Sequence, residues 1–360
     1  MEHFFCKTKI IAGSQSAAQL KTFAIKRLLL VADPYFVQSG DASRIASLSG
    51  AAETEIFSDI TPDPSAQLAA RGAAAVKAFA PDAVVALGGG SAMDCAKAMV
   101  YFSGLKPKLI AIPTTSGSGS EVTDFAILTH DGIKHPLVDE SLRPDTAILD
   151  DALLQNLPPK LIADTGFDLM SHALEAWVAT GAGAFSDALA ADAFCTAYPL
   201  LSLSFSGQHA VRMRIHSAST MAGLAFSQAG LGICHALSHA LGGEFHIPHG
   251  RLNAMLLPSV IECNTPAAGR RYADLARRAG FSTGSESVAI RALKNALIRL
   301  RRSLNMPENL AQAGVSPAIL RQKMGVITEA VLADPCCNTN PLPPDENMVR
   351  RILSDVMGHG

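Results

Sequence analysis

The chain has no excess of charge of either sign: 30 Lys and Arg stand against 32 Asp and Glu, a net charge of −2, and charged residues are 17% of its 360 positions. That leaves no basic footprint for nucleic acid and no polybasic segment for a membrane surface, so a small-molecule partner is expected. Aromatics are scarce at 6%, with one Trp. No repeat recurs at a fixed period, which argues against propellers, solenoids and lectin-like platforms. The seven cysteines contain no C-x-x-C spacing, and an odd count with the vicinal pair Cys336-Cys337 reads as reduced thiols, not a disulfide framework. Also missing are an apolar run of the ~18 to 20 residues that spans a bilayer and, in MEHFFCKTKIIAG, a basic region followed by a long apolar stretch. The expectation is a soluble, cytoplasmic protein with neither nucleic acid nor membrane as partner.

What is present is apolar content, 48% of residues. At this length that is more than one core serves, so two domains are expected. KRLLLVAD (26–33) reads as a buried parallel strand with Asp33 at its carboxyl end, where a carboxylate can accept from ribose hydroxyls and repel a 2′-phosphate. After the turn-rich DITPDPS (59–65), AQLAARGAAAVKAFA reads as a helix ending before Pro81. AVVALGGGSAMDCAK (83–97) is a strand, three glycines and a helix, with Ser91 and Asp94 spaced as a capping box. Its glycines let backbone N–H groups approach an anion, and the helix N-terminus adds partial positive charge. LIAIPTTSGSGSEVT (109–123) repeats the scheme, a strand running into a loop rich in hydroxyls and glycines. A strand pair around FAILTHDGIKHPLVD carries Lys134, and TAILDDALLQNLPPK closes the sheet domain at Pro158-Pro159. Alternating strands and helices imply a Rossmann-like parallel sheet with ligands outside the strands' carboxyl ends. Residues 1–157 form this dinucleotide-binding α/β domain. From 158 to 360 the apolar period is 3.6, which predicts an all-helical second domain.

Eleven histidines are spread along the chain, yet GICHALSHALGGEFHIPHG holds four of them, at 235, 239, 246 and 249, an enrichment that suggests metal binding. In GFDLMSHALEAW, Asp168 and His172 are four apart and share a helix face; His235 and His239 repeat that spacing, and His249 begins the next helix. One carboxylate with several imidazoles suits Fe²⁺, Zn²⁺, Co²⁺ or Ni²⁺ better than Mg²⁺ or Ca²⁺. Spacing alone does not choose four ligands from these five. His246 is left as a neighbour of the group or facing solvent, and His3, His130, His135, His209, His216 and His359 stand apart from it.

GGGSAMDCAK, IPTTSGSGSEVT, GFDLMSHALEAW and CHALSHALGGEFHIPHG, in order and in register, resemble the iron-containing (group III) alcohol dehydrogenases, and DPCCNTNP fits the family's closing pattern. Runs such as DITPDPS and AFSQAGLGICHALSHALGGEFHIPHG are similar to the branch that serves bacterial microcompartments. The resemblance implies an N-terminal dinucleotide-binding domain, a helical C-terminal domain, and a site in the cleft between them. It implies Fe²⁺, or Zn²⁺ as purified, on Asp168, His172, His235 and His249, with His239 beside the metal as the catalytic proton relay. It implies NAD(H) near Asp33, Gly89, Gly90, Ser91, Thr114, Thr115, Ser118, Thr123 and Lys134, and Phe226 as an aromatic wall of the substrate pocket. Where the family loop often has Thr, this chain has Ser118, which keeps the hydroxyl. The activity implied is interconversion of a small aldehyde and its primary alcohol by a homo-oligomer, with microcompartment components as further partners. A polyol dehydrogenase or a dehydroquinate synthase-like lyase on the same fold are the alternatives, and a non-catalytic assembly protein is a third. A lyase needs cations to grip an anionic substrate, whereas the segment from Asp168 to Gly250 offers only Arg212 and Arg214.

Overall fold

The structure, a computed structural model, describes residues 4–130 and 133–358; His3 and His359 lie outside them. The chain divides into two compact units that meet in sequence at Leu157 and Pro158.

The first unit contains the strands β1 (Lys9–Ala12), β2 (Arg27–Ala32), β3 (Glu53–Phe57), β4 (Ala83–Gly88), β5 (Lys108–Pro113), β6 (Phe125–His130), β7 (Ile133–Val138) and β8 (Thr146–Leu149), with helices α1 (Pro34–Gln38), α2 (Asp41–Ser49), α3 (Ala66–Phe79) and α4 (Gly90–Ser103). Among the described residues, six strands form one sheet in the order β1-β8-β5-β4-β2-β3, with every neighbouring pair parallel. Its centre is apolar on both faces. Leu28, Leu30, Val85, Leu87, Ile110 and Ile112 join one core layer, and Leu29, Val31, Val84, Ala86 and Ala111 the other. Burying each large side chain is worth roughly 1.5–3 kcal/mol, which is why these segments read as unbroken apolar runs. Ser65 starts α3 by accepting from the Leu68 N–H at 3.0 Å, a cap worth about 1 kcal/mol. β6 and β7 form a separate antiparallel hairpin.

The second unit is helical: α5 (Pro159–Val178), α6 (Ala184–Phe205), α7 (Arg212–Ala229), α8 (Ile233–Phe245), α9 (His249–Arg278), α10 (Glu286–Ser303), α11 (Pro317–Ala333) and α12 (Glu346–Met357). α5 packs on α6, α7 and α9, and α8 on α9 and α11. One expectation needs correcting. α6 is long and apolar enough, by length and composition, to cross a membrane, although no single unbroken apolar run announced it. It packs against α5, α7, α9 and α10, so its hydropathy serves the core of the helical unit.

Candidate functional site

In the first unit, β2, β4 and β5 lie side by side, so the segments following them converge. The Asp33 N–H donates to Leu87 O at 3.0 Å, and the Thr114 N–H to Gly88 O at 2.9 Å. A Cβ on Gly89 would stand 3.2 Å from Thr115 Oγ1, and one on Gly90 3.2 Å from Ser118 Cβ. Asp33, Gly89, Gly90, Thr114, Thr115 and Ser118 are thereby gathered along one end of the sheet, beside Ser91 in the first turn of α4. The capping box expected of Ser91 and Asp94 does not form. α4 starts earlier than the spacing suggested, with Gly89 as its N-cap and no side chain capping it, so Ser91 is already inside the helix. Its first N–H groups are left for another acceptor.

Asp94 instead faces inward, accepting from Ser120 Oγ at 2.6 Å and the Ile127 N–H at 3.0 Å. Lys97, 1% exposed, donates from Nζ to Thr123 Oγ1 at 3.0 Å and to Phe125 O at 2.8 Å. Burial pushes the Lys97 ammonium down to about 8 and raises the Asp94 carboxyl. Thr123, expected near a cofactor, is fully buried and serves as the hydroxyl on which Lys97 holds the loop. Two other candidates have protein partners here: Asp33 caps α1 by accepting from the Tyr35 N–H at 2.9 Å, and Lys134 pairs with Asp63 at 2.7 Å.

In the second unit, α5, α8 and α9 bring ligand atoms of Asp168, His235 and His249 all within 4.8 Å of one another; Asp168 Oδ1 is 3.6 Å from His249 Nε2. His172 lies alongside, its ring stacked between those of His235 (4.5 Å between centroids) and Phe226 (4.4 Å). Phe226, 3% exposed, thus borders the cluster through His172. His246 is exposed at the C-terminal end of α8 in the left-handed region.

Three groups that the spacing of histidines does not reveal hold this cluster. Glu175, about two turns on from Asp168 along α5, accepts from the Gly232 N–H at 2.9 Å, the Cys234 N–H at 2.7 Å and His235 Nδ1 at 2.5 Å. Burial pushes the Glu175 carboxyl up to about 7 against the pull of these donors, and burial drives the His235 imidazole well below its ordinary value. With Glu175 ionised, the bond to it puts the His235 proton on Nδ1, so Nε2 presents a lone pair; buried, it has no hydrogen-bond partner. Asn253, fully buried, donates to Asp168 Oδ1 at 3.0 Å and to Ser171 Oγ at 2.9 Å, and accepts from Ser238 Oγ at 2.5 Å. Asp334, ahead of a short 3₁₀ turn at Pro335–Thr339, accepts from His239 Nδ1 at 2.8 Å. The sequence did carry a mark of each: a lone acid in HALEAW, Asn253 one turn after His249, and the acid of DPCC.

A buried imidazole nitrogen left bare beside a carboxylate and a second imidazole is what an absent cation would leave behind, since buried polar atoms are otherwise paired. The donor set, oxygen plus imidazole nitrogen with a carboxylate behind one imidazole, fits a borderline divalent ion such as iron or zinc.

Comparison with known proteins agrees with this pairing of a parallel sheet with a histidine-rich helical unit. Residues 7–151 match the model of the family described as iron-containing alcohol dehydrogenase, and residues 162–357 match its C-terminal counterpart. The chain belongs to the iron-containing alcohol dehydrogenase family, and is an oxidoreductase that interconverts aldehydes and alcohols. It is 40% identical to the 1-propanol dehydrogenase PduQ of Salmonella typhimurium over 371 residues, covering 99% of this chain and 100% of that one. The iron-containing alcohol dehydrogenase of Thermococcus thioreducens superposes with a TM-score of 0.90 at 33% identity, covering 98% and 99% of the two chains. The sulfoacetaldehyde reductase of Bifidobacterium kashiwanohense, solved in complex with NAD⁺, does so with 0.89 at 27%, covering 99% and 98%.

Proposed function

We propose that this enzyme interconverts a small aldehyde, propionaldehyde or one of similar size, and its primary alcohol, using NAD(H) and a divalent iron held by Asp168, His172, His235 and His249. The observation that carries the reading is the bare, buried Nε2 of His235 beside Asp168 and His249. When bound, the iron supplies Lewis acidity toward a carbonyl oxygen and the nicotinamide supplies hydride chemistry.

The chain's own residues do the rest. Glu175 and Asn253 fix the orientation of His235 and Asp168, which keeps the ligands from having to reorganise during the reaction. His239, its Nδ1 tied to Asp334, carries the proton exchanged with the alcohol oxygen at Nε2. The uncapped start of α4 offers N–H groups to the cofactor's pyrophosphate, with Thr115 and Ser118 hydroxyls beside it. Asp33 faces the adenosine ribose and favours NADH over NADPH; Lys134 serves the same cofactor. Phe226 lines the substrate side of His172.

The 40% identity to a 1-propanol dehydrogenase supports a short, uncharged substrate. Arg251, two residues beyond His249, is taken up by Asp164 at 2.6 Å, which also weighs against an anionic one. The resemblance of runs such as DITPDPS and AFSQAGLGICHALSHALGGEFHIPHG to the microcompartment branch carries the proposal of a cytoplasmic homo-oligomer that associates with microcompartment components. Anaerobic loading with Fe²⁺ followed by a panel of aldehydes, with NADH and NADPH in parallel, tests the reading. Asp168→Ala is expected to lose bound iron and turnover together. His239→Ala is expected to keep the iron and slow turnover roughly 10²- to 10⁴-fold. Full activity in the Asp168 variant would overturn the site.

A further inference from the structure

A second group of potential ligands abuts the first. His239, Asp334 and Cys336 each offer one atom, and those atoms lie within 4.8 Å of one another. The His239 and His249 rings are stacked with centroids 5.2 Å apart and planes 17° apart, so the two groups share a border. From this we infer a second divalent-cation site on His239, Asp334 and Cys336, selective for thiophilic ions such as Zn²⁺ and Co²⁺, whose occupation shuts the enzyme down.

The three side chains come from two rigid pieces. His239 projects from α8, while Asp334 caps, and Cys336 belongs to, the turn at Pro335–Thr339, which packs on that helix. The carboxylate is fixed from both sides, since Oδ2 meets His239 Nδ1 at 2.8 Å and Oδ1 accepts the Cys336 N–H at 2.8 Å. Access exists: His239, Asp334 and Cys336 are all of intermediate exposure. The vicinal thiol is differently placed, for Cys337 is buried and donates from Sγ to Val331 O at 3.1 Å. One imidazole, one carboxylate and one thiolate, with water as fourth ligand, form a tetrahedral set that zinc and cobalt accept and that magnesium and manganese do not favour.

The exchange balances without any redox partner. The Cys336 thiol gives its proton to solvent as sulfur takes the cation, and the cation displaces the hydrogen bond between Asp334 and His239 Nδ1. A neutral imidazole that yields Nδ1 to the ion keeps its one proton on Nε2. Nε2 then lacks the lone pair that takes the proton from the alcohol, so alcohol oxidation is the direction that the ion blocks. Loss of turnover on filling the site rests on the role proposed above for His239; the site itself rests only on the three side chains.

The test is a Co²⁺ titration of the intact protein under anaerobic conditions, following bound metal, the thiolate-to-cobalt charge-transfer absorption, and alcohol oxidation. The first equivalent is expected to restore activity without a thiolate band. The second is expected to bring that band in and to cut turnover roughly 10²-fold, the lower bound of what a positioned proton relay contributes. Cys336→Ser is expected to bind one equivalent, show no band and resist the excess, while Cys337→Ser behaves as the parent. A parent protein that stops at one equivalent, or a band that persists in Cys336→Ser, overturns the second site and leaves the first intact. A protein that binds no cobalt at all overturns both. Should the serine variant fail to fold, the stoichiometry and the thiolate band of the parent protein still decide between one site and two.

Discussion

Glu175 in the helical unit and Lys97 in the sheet unit are mirror images. Each is a charge carried on a helix, at most 3% exposed, and each ties down a neighbouring segment through main-chain groups. Glu175 collects the Gly232 and Cys234 N–H groups and the ring of His235; Lys97 gives its protons to Thr123 and Phe125. The difference lies in what is left over. Glu175 spends its third contact on an imidazole and so turns His235 Nε2 toward Asp168 and His249. Lys97 spends its two hydrogen bonds on Thr123 and the start of β6 and orients no imidazole. A buried charge can therefore aim a ligand or brace a loop, and only the first use makes cation binding depend on it.

Glu175→Ala tests this most severely. It strands buried donors, so a loss of about 3–5 kcal/mol in chemical denaturation is expected, together with roughly 10- to 100-fold weaker iron binding. Glu175→Gln should recover part of the stability. Unchanged metal affinity in both would remove the distinction between aiming and bracing. Next in size, Lys97→Met should cost about 2 kcal/mol through the unpaired Phe125 carbonyl. It should raise KM for NADH while leaving iron content and kcat at saturating NADH alone.

A smaller effect separates the two charges by pH. Lys97 sits at about 8 when folded against 10.5 ordinarily, so the native state releases its proton first. Between those values the unfolded chain holds more protons, and stability rises with pH. A gain of about 1 kcal/mol by about pH 9, relative to Lys97→Met, is expected in paired denaturation curves. The smallest effect belongs to an exposed pair, Arg350 with Glu346 at 2.7 Å, half-exposed on α12. Arg350→Ala should change stability by about 0.5 kcal/mol or less. A loss near that of Lys97→Met would mean that burial is not what separates these charges.

The sequence made some of this visible and hid the rest for physical reasons. β2, β4 and β5 are buried on both faces and show as continuous apolar runs, whereas the edge strands β1 and β3 do not, because most of their residues face solvent. The strand-turn-helix at GGGS was legible; the start of α4 was not, because a backbone N-cap at Gly89 has no side-chain signature. The histidines stood out by density and by i, i+4 spacing. Their carboxylate partners did not. Glu175 is one acid in an apolar helix, and Asp334 lies 95 residues beyond His239, a separation that only folding closes.

Gly250 follows directly on His249, and a methyl group there would fall 1.8 Å from the Asp164 carbonyl oxygen and 3.1 Å from Asp168 Cβ. The start of α9 is thus seated on the main chain of α5, with nothing but hydrogen between them. Position 250 works as a spacer gauge. The smallest side chain introduced there would pry one imidazole away from the opposing carboxylate, so the grip on the metal could be graded without altering any group that touches it.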